Sequence, residues 1–174
     1  MKLFMKTSDE MNFSRSCYRA AELLSKDTNT LETKIMVQLY YMKGCLHGNA
    51  MSCIDLAELY YNEAHALKSH DRLTLALSTL RMCCEKDVPA CCWNLARMYT
   101  KDMKEANFHK DFNMAAIYLD KACHLGHYMS CRYLQAWYTM GYGVKINSKR
   151  AEKYYEMAKD IEDKMGEDYT HNRT

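Results

Sequence analysis

One nine-residue pattern occurs three times in this chain, and the copies are separated by a constant number of residues. Each copy begins and ends with cysteine, and the three copies span Cys45–Cys53, Cys84–Cys92 and Cys123–Cys131. The step from one copy to the next is 39 residues at both cysteines. A period between about 20 and 50 residues is typical of repeat proteins, in which each unit stacks on its neighbours. The cysteine pattern therefore predicts a repeat architecture.

Other residues recur with the same period and indicate what each unit is made of. The recurring large residues are Leu56, Leu95 and Leu134, and Tyr60, Tyr99 and Tyr138. Within the first copy, Cys53, Leu56 and Tyr60 fall on one side of a helix, because residues three, four and seven apart share a helix face. A second apolar stripe follows in each unit. Each unit is therefore predicted to be a pair of helices.

The same periodicity predicts eight helices in all. With only one proline and six glycines in 174 residues, the chain contains few of the residues that interrupt helices, which disfavours an all-β fold. The predicted helices lie near 8–25, 30–46, 49–65, 71–86, 89–101, 111–124, 127–140 and 148–165.

The segment from Tyr138 to Ala158 resembles the signature of the Sel-one-like (Sel1-like) repeat, which reads Tyr, Gly-x-Gly-Val, then Ala-x-x-Tyr-Tyr-x-x-Ala. The matching residues are Gly141, Gly143, Val144, Ala151, Tyr154, Tyr155 and Ala158. The earlier units depart from this signature, because the loops 61–70 and 100–110 lack the Gly-x-Gly turn. Sel1-like repeats are relatives of the tetratricopeptide repeat. The resemblance implies an all-α fold, a right-handed α/α superhelical solenoid of about four helix pairs.

The predicted domain organisation follows from this fold. Residues 1–165 are expected to form a single repeat solenoid, followed by a polar tail at 166–174. The expected units are 8–46, 49–86, 89–124 and 127–165.

The cysteine spacing is similar to that of a cysteine-rich branch of the Sel1-like proteins. This branch includes secreted bacterial proteins and assembly factors of cytochrome c oxidase in the mitochondrial intermembrane space. Its members bridge the two cysteines of each unit, which implies the disulfides Cys45–Cys53, Cys84–Cys92 and Cys123–Cys131. A helical hairpin brings its helix ends close enough for a bridge, with Cα atoms about 5.5 Å apart. The alternative is that these cysteines are reduced core residues.

Three cysteines lie outside the pattern, namely Cys17, Cys83 and Cys91. Cys83 and Cys91 stand where the other units have glycine, alanine or serine, so we predict that they replace small residues and remain thiols. A bridge between them is the alternative, since they have the same spacing as the other pairs.

A zinc site is the alternative to a bridge in the third copy, where Cys123, His124, His127 and Cys131 lie close in sequence. The histidines do not recur at equivalent positions in the other copies, although a metal site built by the repeat would repeat its ligands. We therefore expect neither a metal nor another cofactor.

Composition and motifs exclude several classes of function. The 24 basic and 22 acidic residues are spread along the chain, which predicts no nucleic-acid partner. No apolar run approaches the roughly 18–20 residues that span a bilayer. The N-terminus resembles neither a secretory signal nor a transit peptide. Catalytic motifs such as a phosphate loop, Gly-x-Ser-x-Gly or Cys-x-x-Cys are absent, so we predict that the protein is not an enzyme.

The remaining prediction is a scaffold that binds other proteins. Cysteines that favour oxidation, without a secretory signal, indicate the intermembrane space, and the resemblance implies an accessory or assembly factor of a respiratory complex, most notably cytochrome c oxidase. One alternative is a secreted bacterial protein with ligand-binding or hydrolase activity, and another is a cytosolic zinc-binding adaptor. The predicted partner surface lies on the first helix of each pair, at Asp55, Glu58, Asn94, Arg97 and Tyr133. The sequence does not predict an oligomeric state.

Overall fold

The structure, a computed structural model, describes residues 8–26 and 30–171. These residues form eight α-helices, and a short 3₁₀ helix lies at Lys104–Ala106. The helices are α1 Ser8–Ser25, α2 Leu31–Leu46, α3 Ala50–Leu67, α4 His70–Glu85, α5 Pro89–Tyr99, α6 Phe112–His124, α7 Tyr128–Met140 and α8 Ser148–His171.

The all-α class predicted from the sequence is confirmed, and most predicted helix bounds lie within two residues of the observed ones. The largest difference is at α8, which continues to His171 rather than ending at Met165. Residues 166–171 contain no proline to stop the helix. The last part of the predicted polar tail, 172–174, lies outside the described residues.

Short polar side chains begin several of the helices. The Thr30 hydroxyl accepts a hydrogen bond from the Thr33 N–H at 3.1 Å, and the Asp111 carboxylate accepts one from the Met114 N–H at 3.0 Å. Such N-caps satisfy backbone N–H groups that have no partner inside the helix. Pro89 occupies the first turn of α5, where its missing N–H costs no hydrogen bond.

The helices fall into two compact units. One comprises Met1–Cys83 with Glu105–Asn107, and the other comprises Cys84–Lys104 with Phe108–Thr174. The single repeat domain expected for residues 1–165 stays a prediction.

In the first unit, α1 packs on α2 and α2 packs on α3. The core of these helices consists of the buried residues Ala21, Val37, Tyr41 and Leu56. Helices α2 and α3 approach closely at Gly44, where an added Cβ would lie 2.3 Å from the Ser52 Oγ. A small residue is therefore required at this point of the hairpin.

In the second unit, each of the helices α5 to α8 packs on the next along the chain. Recurring leucines fill the core, since Leu95 and Leu134 are 0 % exposed. Two tyrosine pairs stack with nearly parallel rings, and both pairs have ring centroids 5.7 Å apart: Tyr99 with Tyr118, and Tyr138 with Tyr154. The residues that recur along the sequence are therefore mainly those that hold neighbouring helices together.

Candidate interaction surface and cysteine bridges

A disulfide connects the first and last cysteine of each nine-residue copy. The Cα atoms lie 4.6 Å apart in Cys45–Cys53, 4.7 Å apart in Cys84–Cys92 and 4.9 Å apart in Cys123–Cys131. These distances are within the usual range for a disulfide. Each bridge joins the last turn of one helix to the first turn of the next, and all six side chains are buried.

The prediction that Cys83 and Cys91 remain thiols is wrong, because both are disulfide-bonded in the structure. The repeat explains the error. The equivalent positions of the first copy, Gly44 and Ser52, are in direct contact across the α2–α3 hairpin. Small residues at these positions mark a close approach between helices rather than a place for an isolated thiol. Cys17, which is 5 % exposed, carries a free thiol.

The zinc site considered for the third copy does not fit the structure. Cys123 and Cys131 are bonded to each other, so neither sulfur is a thiolate ligand. His127 is the N-cap of α7, and its Nδ1 accepts a hydrogen bond from the Ser130 N–H at 3.2 Å. Burial lowers the pKa of His127, which favours the neutral ring that this cap requires. No cluster of three or more metal-ligating side chains occurs in the described part of the chain.

In the first unit, the predicted partner residues Asp55 and Glu58 lie one turn apart on α3. Glu58 is exposed, whereas Asp55 is half-buried and faces Tyr18 of α1 and Tyr41 of α2. The Tyr18 hydroxyl donates to the Glu22 carboxylate at 3.1 Å. Burial raises the pKa of Asp55, and the charge of Glu58 raises it further, while the nearby Tyr18 and Tyr41 hydroxyls act in the opposite direction. Burial, followed by the charge of Asp55, raises the pKa of Tyr18 to about 12. Asp55 therefore lies where α1, α2 and α3 come together within this unit, and Glu58 is the more accessible of the two.

The raised pKa of Asp55 predicts a specific dependence of stability on pH. The folded chain holds the Asp55 proton to higher pH than the unfolded chain, whose aspartates titrate near about 3.9. The free energy of unfolding of the wild type should therefore fall relative to that of Asp55→Asn as the pH rises above about 4, and level off above the folded pKa. Urea denaturation of both proteins across this range measures the difference. A difference that does not change with pH would contradict the assignment.

In the second unit, an aromatic pair accompanies the predicted residues. Tyr133 is 44 % exposed, and its ring meets the Trp93 ring edge-on with centroids 4.9 Å apart. Arg97 is exposed one helical turn after Trp93 on α5, whereas Asn94 donates to the Ala90 carbonyl oxygen at 2.9 Å within the same helix. We name Trp93, Arg97 and Tyr133 the α5–α7 patch.

Trp93 was not predicted as part of a surface, although the sequence contains a signal for it. The equivalent positions of the neighbouring copies are Ile54 and Arg132, so the repeat does not require an aromatic ring there. A residue that breaks the repeat and is partly exposed indicates a role other than core packing.

A groove of about 510 Å³ lies between α6, α7 and α8, and no sequence pattern had indicated it. Its polar groups bond with one another. The Tyr154 hydroxyl donates to the Asp120 carboxylate at 2.7 Å, and Arg150 donates to the Tyr138 hydroxyl at 2.9 Å. Burial raises the pKa of Tyr154, and the hydrogen bond to Asp120 adds to this effect. These contacts account for the groove as a packing feature of the last helix pair.

The bridges, the helix pairs and the 39-residue period define an all-helical repeat protein. Solved structures show that its fold is Sel1-like. A Sel1 repeat protein from Oxalobacter formigenes matches with a TM-score of 0.60 at 19% identity, covering 91% of this chain and 62% of that one. A protective antigen of uropathogenic Escherichia coli with an SLR fold matches with a TM-score of 0.59 at 23% identity, covering 87% of this chain and 31% of that one. At these levels of sequence identity, the structural similarity shows only that the fold is shared.

Among curated proteins, the chain is similar to assembly factors. It is 27% identical over 163 residues to cytochrome c oxidase assembly factor 7 of Xenopus tropicalis, covering 88% of this chain and 67% of the relative. It is 29% identical over 124 residues to cytochrome c oxidase assembly factor 7A of Xenopus laevis, covering 70% of this chain and 52% of the relative. No family model matches the chain. The resemblance to cysteine-rich Sel1-like proteins is therefore confirmed.

Among the helices that the structure describes, none combines the length and the apolar character that a membrane span requires.

Proposed function

We propose that this chain is a non-enzymatic protein that assists the assembly of cytochrome c oxidase in the mitochondrial intermembrane space. The observation that carries the proposal is the similarity to cytochrome c oxidase assembly factor 7, which extends over 88% of this chain. The chain spans 67% of that relative and 52% of factor 7A, so the role is proposed here for the shared repeats.

The cysteine chemistry supports the proposed compartment. Bridges form and persist where the surroundings are oxidising, and they are rare in the reducing cytosol. Six cysteines in three buried pairs, repeated in register, indicate a chain that matures in an oxidising space. The intermembrane space oxidises the chains that it imports, which is consistent with the similarity to an oxidase assembly factor.

The α5–α7 patch is the part of the predicted surface best suited to bind a partner. Tryptophan, tyrosine and arginine are the residue types that contribute most to protein–protein binding energy. The edge-on contact between Trp93 and Tyr133 holds both rings in place before binding, so less side-chain entropy is lost when a partner docks. Glu58 presents a separate acidic position in the first unit, which we propose as a partner contact of its own.

Rescue of oxidase activity tests this proposal. In cells depleted of the native protein, wild-type chain is expected to restore cytochrome c oxidase activity, and the double variant Arg97→Glu/Tyr133→Ala is expected to fail. Both substituted side chains are exposed, so the melting temperature should change little.

A matched control comes from α8, where Tyr155 and Lys159 also place an exposed ring and a cation one turn apart. The variant Tyr155→Ala/Lys159→Glu should restore activity fully. Failure of the wild type to restore activity would contradict the proposed function. Full rescue by the Arg97→Glu/Tyr133→Ala variant would contradict the proposed surface.

A further inference from the structure

Helix α2 presents a row of apolar side chains to solvent. The side chains of Leu31, Ile35, Met42 and Leu46 are 75 %, 55 %, 40 % and 57 % exposed. With about 100° of rotation per residue, the four fall within an arc of about 60° on the helix. They lie away from the face that buries Val37, Tyr41, Gly44 and Cys45. We name these four exposed residues the α2 stripe.

The repeat itself does not require this stripe. The equivalent residues of α4 are His70, Thr74, Arg81 and Glu85, and the equivalent positions in the next unit are His109, Asn113, Asp120 and His124. All eight are polar, so the apolar stripe of α2 does not recur at the equivalent positions of the next two units. Contiguous exposed apolar side chains of this kind mark a site of interaction with another molecule.

The charges beside the stripe indicate what covers it. Glu32 and Lys43 lie on the same flank of α2, about 20° apart around the helix axis. When two copies of α2 pair antiparallel about Leu39, the two-fold axis brings Glu32 of one copy beside Lys43 of the other. The Cα atoms of Glu32 and the opposing Lys43 are then offset by about 4.5 Å along the helix axis. The two-fold axis generates a second, identical Glu32–Lys43 pair. A parallel pair would instead place this flank on opposite sides of the contact in the two copies, so Glu32 of one copy would not meet Lys43 of the other.

The other flank tolerates the same arrangement. Lys34 lies there, and in the antiparallel pair the two copies of Lys34 are separated by about 15 Å along the helix axis. Solvent screens exposed charges at that distance, because it exceeds the Debye length at physiological salt. The Lys43 ammonium lies 5.9 Å from the Tyr40 ring centroid, on the flank where the partner's Glu32 is expected.

We propose that the α2 stripe pairs with the stripe of a second copy of this chain, in antiparallel orientation, to form a homodimer. The apolar side chains form the centre of the contact, and the two Glu32–Lys43 pairs at its edge set the orientation. This inference does not depend on the role in oxidase assembly, since it rests on the residues of α2.

Analytical ultracentrifugation of the full oxidised chain tests the dimer. The wild type is expected to dimerise reversibly as its concentration rises through the micromolar range, and Ile35→Ser/Met42→Ser is expected to remain monomeric. Both replaced side chains are exposed, so circular dichroism should show the fold unchanged. The control Ile117→Ser removes an exposed apolar side chain of α6 and should leave the dimer intact.

A charge exchange tests the orientation. Glu32→Lys and Lys43→Glu should each weaken dimerisation roughly tenfold, and the double exchange should restore it, because the pairs re-form with reversed charge. A wild type that stays monomeric overturns the proposal. The same holds if the monomer binds anionic lipid vesicles instead of a second copy. A double exchange no stronger than the single ones overturns the antiparallel arrangement.

Discussion

Leu95→Ala is expected to lower the free energy of unfolding by roughly 2–5 kcal/mol, and Tyr99→Ala by a similar amount. Leu95 is 0 % exposed in the core of the second unit, and the buried Tyr99 ring stacks on Tyr118. Removing either side chain leaves a cavity that the bridged helices cannot fully close. Urea denaturation under oxidising conditions, with the disulfides intact, measures the loss.

The matched controls lie on the same helix. Arg97→Ala removes an exposed side chain, and Asn94→Ala removes a hydrogen bond made within α5. Arg97→Ala should change the free energy of unfolding by no more than about 0.5 kcal/mol, and Asn94→Ala by little more. Equal losses in all four variants would show that the faces of α5 are wrongly assigned.

Each disulfide is expected to contribute about 2.5 kcal/mol to stability, the value that the chain-entropy model gives for a ring of this size. Replacing Cys84 and Cys92 together by alanine should lower the free energy of unfolding by about that amount. Loss of these three bridges would remove a large part of the ~5–15 kcal/mol typical of a domain. Denaturation of the wild type with and without reductant measures their combined effect together with that of the bonded Cys83 and Cys91.

Peptide mapping without reductant tests the pairing behind this prediction. The expected linked peptides join Cys45 to Cys53, Cys84 to Cys92 and Cys123 to Cys131. Full alkylation of these cysteines in the native, oxidised protein would contradict both the bridges and the argument for an oxidising compartment.

The sequence predicted the helices well, because their signals are local. Apolar periodicity locates each buried stripe, and the recurrence of Leu56, Leu95 and Leu134 places equivalent helices in register. The end of α8 was predicted less well, since a polar segment without a helix breaker does not show where a helix stops.

The oxidation of Cys83 and Cys91 could not be predicted from their alignment with small residues. Glycine, alanine and serine can recur at a position for two reasons. Some positions merely tolerate a small side chain, whereas others require one because two helices touch there. Only the contact between Gly44 and Ser52 shows that the second reason applies.

The environment of the partner residues also required the fold. Asp55 lies off the apolar stripe of α3, so its sequence position indicates a surface carboxylate. Tyr18 and Tyr41 reach it from two other helices, and those contacts are tertiary. The pairing of Trp93 with Tyr133 likewise joins residues 40 positions apart in the sequence.

Recovery of cytochrome c oxidase subunits with the tagged chain, captured from isolated mitochondria, tests the proposed role most directly. We predict that the wild type and the Tyr155→Ala/Lys159→Glu control bring down oxidase subunits from the intermembrane space, and that Arg97→Glu/Tyr133→Ala does not. Capture of no oxidase component by the wild type, or fractionation of the protein to the cytosol or the culture medium, would contradict the account.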